Sequence, residues 1–245
     1  MVKNYLTGQY EKSLNCYYSK RLLQKLLLLN TYATNKIDFH QVTKAIYYAK
    51  KYHSTQKRKT GELFYTHFLE VAYMVADYAF KTDVIVTAIL HDVIEDTECT
   101  QEIIAEAFNA KIAYYVKNLT RIKKDYTMSA AEIVKILYMQ KNDDLLLIKL
   151  FGRLHNIQTV RAKSLDKIWQ TTSETLQVFL ALAAYLKIPK VARQLTRHCL
   201  SVIFNYEILQ DISDNHRLVD VNCEANIKNK TYAILDNKSL NHKLL

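Results

Sequence analysis

Three glycines and one proline in 245 residues are far below ordinary usage, roughly 7% and 5%. Rossmann-type nucleotide folds, sandwiches and barrels use glycine in their turns and phosphate loops, where φ must be positive. Such scarcity excludes them and leaves a mostly helical chain. Cysteine is also sparse. Cys16, Cys99, Cys199 and Cys223 are far apart with no C-x-x-C pair, so neither a zinc site nor a disulfide framework is indicated. Long apolar runs are missing as well: the leucines at 26–29 follow Arg21, Gln24 and Lys25, and a bilayer span needs about 20 apolar residues. No membrane segment or export signal is expected, and the expected location is the cytoplasm.

What is present is 49% hydrophobic residues and an excess of positive charge, 34 Lys and Arg against 24 Asp and Glu, for a formal net charge of +10. This balance favours anionic partners, whether nucleic acid, an acidic membrane surface or phosphorylated small molecules. The basic residues are dispersed instead of gathered on one recognition helix, so a nucleic-acid binder ranks last among the functional readings.

Apolar residues at helical spacing predict a helix over residues 22–29 and another from Asp38, its N-cap, to about His53. Residues 54–62 (STQKRKTGE) form a basic loop holding Gly61. Helices follow over 66–80 and from about Asp83 through VIVTAILHDVIED. Thr100 caps a short helix ending near Phe108, with Asn109 at a left-handed C′ position. Residues 112–119 are helical, and 120–126 (TRIKKDY) form a basic loop. Ser129 opens a helix to about Gln140. Further helices cover 143–163, 173–186 and 189–209, with Pro189 in a first turn where its missing N–H costs nothing.

On a continuous helix ending at Asp96, His91, Asp92, Glu95 and Asp96 share the side opposite Ile89, Val86, Val93, Leu90 and Ile94. Three carboxylates near a helix C-terminus oppose the macrodipole and repel one another. A bound cation would reverse the sign of those terms, and one His with one Asp suits an intermediate-hardness divalent ion such as Mn²⁺.

Adjacent His-Asp is the mark of the HD metal-dependent phosphohydrolases, and longer blocks narrow the match. The segments HSTQKRKTGE (residues 53–62), YTH (65–67), LHDVIEDT (90–97), IKLFGRLHNIQTV (148–160) and ETLQVFLALAAYLKI (174–188) resemble, in order and spacing, the hydrolase domain of RelA/SpoT-type alarmone enzymes. The resemblance implies an all-α, HD-domain helical bundle of roughly eight to ten helices that removes pyrophosphate from the 3′ position of ppGpp or pppGpp. It implies Mn²⁺ held by His53, His91 and Asp92, with Glu95 and Asp96 activating the attacking water. Arg58 would stack on guanine, Lys59 would contact the nucleotide, and Asn156 and Thr159 would bind the nucleoside; His67 is expected to pack or to hydrogen-bond structurally. The domain is expected at 37–209, between an N-terminal helical extension (1–36) and a polar tail (210–245). No synthetase domain is expected.

One position departs from the pattern. Where the family's IKLADRLHN motif carries a further metal-binding Asp, this sequence has Gly152, which can coordinate nothing through a side chain and costs about 1 kcal/mol relative to Ala in a helix. An impaired hydrolase is the leading expectation. The alternative is a catalytically inactive relative that binds guanine nucleotide or a partner protein.

Overall fold

The computed structural model describes residues 10, 14–120, 122–123, 126–127 and 128–214, with side chains described outside 122–127 and up to 204. Residues 1–9 and 11–13 of the expected N-terminal extension (1–36) and residues 215–245 of the polar tail lie outside the described residues. The backbone divides into two compact units, 1–155 and 156–245.

In the first unit, α1 (Tyr17–Tyr32), α2 (Phe39–His53), α3 (Tyr65–Val75) and α4 (Thr82–Leu90) are followed by a four-residue α5 (Val93–Asp96). Next come α6 (Gln101–Ala107), α7 (Ala110–Leu119), α8 (Ala130–Met139) and most of α9 (Asp143–Gln158). Helix α4 packs on α2, α3 and α7, and every residue from Val84 to Leu90 is buried. It is therefore the central helix of its unit and not the one-sided surface helix its projection suggests, because a helix enclosed all round needs no polar stripe.

Several starts fall where the capping residues place them. Asp38 accepts from the backbone N–H groups of His40 and Gln41, Thr100 from Ile103, and Ser129 forms a full capping box with Glu132. Others move. Helix α1 begins five residues early because Cys16 Sγ caps it by accepting from Ser19 N–H. Asn109 is not a left-handed C′ residue: its φ is −168°, extended, and its side chain caps α7 by accepting from Ile112 N–H at 2.8 Å. The basic loop at 120–126 contains a small ribbon, Ile122–Lys123 antiparallel to Tyr126–Thr127, whose β-branched and aromatic residues suit a pleated pair.

The predicted helix through 83–96 is interrupted. Helix α4 stops at Leu90, Asp92 takes φ −108° and ψ 2°, and the chain re-enters helix at Val93.

The second unit holds the end of α9, a 3₁₀ turn (Val160–Ala162), α10 (Leu165–Glu174), a π-helical turn (Thr175–Phe179), α11 (Leu180–Tyr185) and α12 (Pro189–Asp214). The π turn packs against α10, α11 and α12. No helix among the described residues is long and apolar enough to cross a membrane.

Candidate metal centre

The interruption between α4 and α5 builds the centre. On an unbroken helix, neighbouring side chains diverge by about 100°; at the break, His91 and Asp92 converge, with Nε2 3.4 Å from Oδ2. His91 Nδ1 lies 2.7 Å from the carbonyl of Ala88, which can only accept, so Nδ1 carries a proton and donates. From α3, His67 arrives as a third donor. One ligand atom from each of His67, His91 and Asp92 lies within 4.8 Å of the others, and both imidazoles are buried.

This donor set fits a divalent cation. Nε2 of a His91 whose ring proton is committed to Ala88 is a lone pair facing a carboxylate oxygen, and two acceptors at that distance repel unless a proton or a cation lies between them. Two imidazoles and a carboxylate are ligands common to intermediate-hardness divalent metals.

His53, expected among the ligands, is not brought into this group. It ends α2 fully buried, stacked on Phe64 with ring centroids 5.4 Å apart and tilted against Phe68 at 4.7 Å. Its Nδ1 donates to Gln56 Oε1 at 2.8 Å, and its Nε2 is a buried nitrogen without a hydrogen-bond partner among the described residues. Burial pushes its pKa below the ordinary histidine value. His67, expected to pack or to hydrogen-bond structurally, does hydrogen-bond, its Nδ1 2.8 Å from His155 Nδ1, and it also stands beside His91. Its signal was in the sequence: at i, i+4 and i+8, His67, Val71 and Val75 form one buried stripe of α3, an apolar face with a histidine in it.

Glu95 and Asp96 follow in α5, Glu95 half-buried and Asp96 exposed. Gln56 Nε2 donates to the Asp96 carbonyl at 3.3 Å, so the 54–62 loop is tied to this acidic turn. That loop carries Gly61 at φ 89°, a conformation that favours glycine. Arg58, expected to reach a guanine, is half-buried and directs Nη1 to His155 Nδ1 at 2.8 Å; Lys59 is exposed. Burial lowers the Arg58 pKa, opposed by Glu62 and Asp92. Burial, with Arg58 and His91 adding, pushes His155 down to about 4. Asn156 and Thr159 belong to the second unit, where Thr159 Oγ1 donates to the Asn156 carbonyl at 3.4 Å.

Gly152 lies beside the centre. A Cβ built on it would stand 3.9 Å from His91 Nε2, and among the described residues no other atom beyond its chain neighbours and the helix backbone comes within 4 Å.

Residues 45–188 match the HD domain pattern. Among curated proteins, the chain is 34% identical over 158 residues to the guanosine-3′,5′-bis(diphosphate) 3′-pyrophosphohydrolase of Aquifex aeolicus, covering 63% of this chain and 23% of that protein. It is 34% identical over 160 residues to the GTP pyrophosphokinase rsh of Brucella ovis, covering 63% of this chain and 21% of that protein. The chain thus spans under a quarter of the length of these relatives. A solved structure of a metazoan SpoT ortholog that hydrolyses ppGpp superposes with a TM-score of 0.52 at 21% identity, covering 66% of this chain and 98% of that one, a likeness of fold. The residues matched to the domain pattern include the paired His91 and Asp92 and the His67 that joins them, and the chain belongs to the HD domain family.

Proposed function

We propose that the chain hydrolyses guanosine 3′,5′-bis(diphosphate), releasing pyrophosphate from the 3′ position, with Mn²⁺ held by His67, His91 and Asp92. The observation that carries the reading is the convergence of those three donors within 4.8 Å at a break in the central helix. The name of the similar Aquifex aeolicus protein supplies the substrate class.

The ion's contribution, when bound, is to lower the pKa of water and to offset negative charge on the phosphoryl group. Everything else falls to the chain. Ala88 holds the His91 tautomer that turns Nε2 towards Asp92. Glu95, half-buried beside the triad in sequence, takes a proton from the attacking water as general base, and Asp96 shares that task from the exposed side of the turn. Arg58 stays cationic despite burial, as guanidinium does, and meets the nucleotide together with Lys59. Asn156 and Thr159 bind the nucleoside.

Gly152 sets the expected level of activity. Loss of even an outer partner of a metal ligand typically costs 10 to 100-fold in affinity or activity, so a missing carboxylate beside His91 implies weak metal binding and slow turnover.

The test is pyrophosphate release from ppGpp by the purified chain at high protein concentration, with Mn²⁺ and after chelation. Release that depends on Mn²⁺ is expected. Binding of ppGpp without release, measured by calorimetry in the same buffer, would replace the enzyme with a nucleotide-binding relative, and absence of both would sink the substrate assignment.

A further inference from the structure

Behind the triad, two hydrogen bonds converge on one atom. Arg58 Nη1 and His67 Nδ1 each lie 2.8 Å from Nδ1 of His155, which stands near the end of α9. A guanidinium has donors only, so His155 Nδ1 must be an acceptor. One proton is needed between the two imidazole nitrogens, and it therefore belongs to His67 Nδ1. The lone pair of His67 is thereby placed on Nε2.

The two histidines of the triad are thus oriented by different means. His91 is fixed from within its own helix turn, by a carbonyl three residues earlier. His67 depends on a side chain 88 residues away. Arg58 donates to the same nitrogen of His155.

We infer that His155 is a positioning residue for the metal centre: its Nδ1 selects the tautomer of His67 that presents Nε2 as the ligand, with Arg58 as the second donor that pins it. The inference rests on the proposed His67, His91 and Asp92 triad. It gives the imidazole of the -Arg-Leu-His-Asn- segment a part in the metal centre that acts through His67. Metal-bound histidines in general owe their orientation and basicity to such a partner on the other ring nitrogen.

The experiment uses the full chain with His155→Asn, His155→Phe and His155→Ala. Asn keeps an acceptor oxygen close to the position of Nδ1, Phe keeps the ring volume without an acceptor, and Ala removes both. Mn²⁺ affinity is measured by calorimetry, and thermal unfolding of each metal-free variant reports folding separately. Loss of tenfold or more in affinity is expected for Phe and Ala, and Asn should stay within a few-fold of wild type. A folded Phe variant that binds Mn²⁺ as wild type does, or a folded Asn variant as weak as Phe, overturns the inference. Nitrogen NMR of the metal-free wild type gives a readout independent of the variants: His67 should be protonated at Nδ1 with its lone pair at Nε2, and the reverse tautomer overturns the inference even if every variant unfolds. A wild-type chain that takes up no Mn²⁺ while showing the expected tautomer would defeat the triad and leave the role of His155 in orienting His67 supported.

Discussion

A Cβ at Gly152 would meet His91 Nε2 in ordinary van der Waals contact, so a short side chain enters this position without displacing its surroundings. Two substitutions separate its chemistry from its helix cost. Gly152→Ala should stabilise the metal-free chain by up to about 1 kcal/mol, read as a higher Tm, and leave Mn²⁺ affinity unchanged. Gly152→Asp should raise Mn²⁺ affinity at least tenfold in calorimetry and raise pyrophosphate release with it; no gain would mean that the carboxylate has no metal to reach. Tyr65 gives a prediction of another kind. Burial first, then Cys16, pushes its phenol up to about 12. A raised folded pKa favours the fold below the ordinary value near 10, and that contribution is lost as pH rises from about 10 to about 12. Alkaline unfolding should therefore set in within that window, and Tyr65→Phe should resist it better than wild type in a circular dichroism titration. At this scale the sequence revealed His91, Asp92 and Gly152, whose neighbours in the chain identify them. His67 and His155 were harder to read because their partners lie 24 and 88 residues from His67, and no local spacing encodes a contact made through three helices.

Helix boundaries were most legible where a side chain closes the first turn. Asp38, Thr100 and Ser129 cap by short-range geometry that the sequence states directly. Ser129→Ala should lower stability by about 1 kcal/mol in urea unfolding, since it leaves the N3 amide without its acceptor. Boundaries set by tertiary contacts were not legible. Helix α1 starts early at a thiol cap, Cys16, and docking then holds it: Arg21 and Lys25 each place their charge 3.9 Å from the centre of the Tyr73 ring and pair with Glu70 and Asp77 of the segment they cover. Removing the ring by Tyr73→Ala should speed amide hydrogen exchange across Tyr17–Tyr32 while leaving α4 protected. Equal acceleration in α4 would show that the ring supports the whole unit instead of this one helix. The stop at Leu90 was equally hidden, because the segment from Val84 to Ile94 holds neither glycine nor proline to mark it.

The helical class of the whole molecule was legible from its near-absence of glycine and proline, a property of composition that no single contact can overturn. Its division was not. The two compact units meet at residues 155 and 156, inside α9, where no linker composition interrupts the pattern. The net charge of +10 also belongs to this scale. For the proposed substrate, the polyanion ppGpp, it should act on encounter more than on the bound state, so the association rate in stopped-flow mixing should fall steeply with added salt, and the dissociation rate should change less.

The corner at His91 and Asp92 places function in tension with stability. Helix stops at Leu90 and resumes at Val93, and Asp92, a weak helix former, stands at the step. A break kept at a site is where a natural chain departs from its own most consistent folding solution. A population of variants selected only for thermal endurance should therefore repair that corner early, replacing Asp92 with a better helix former, and would discard the paired ligands before it damaged any other part of the fold.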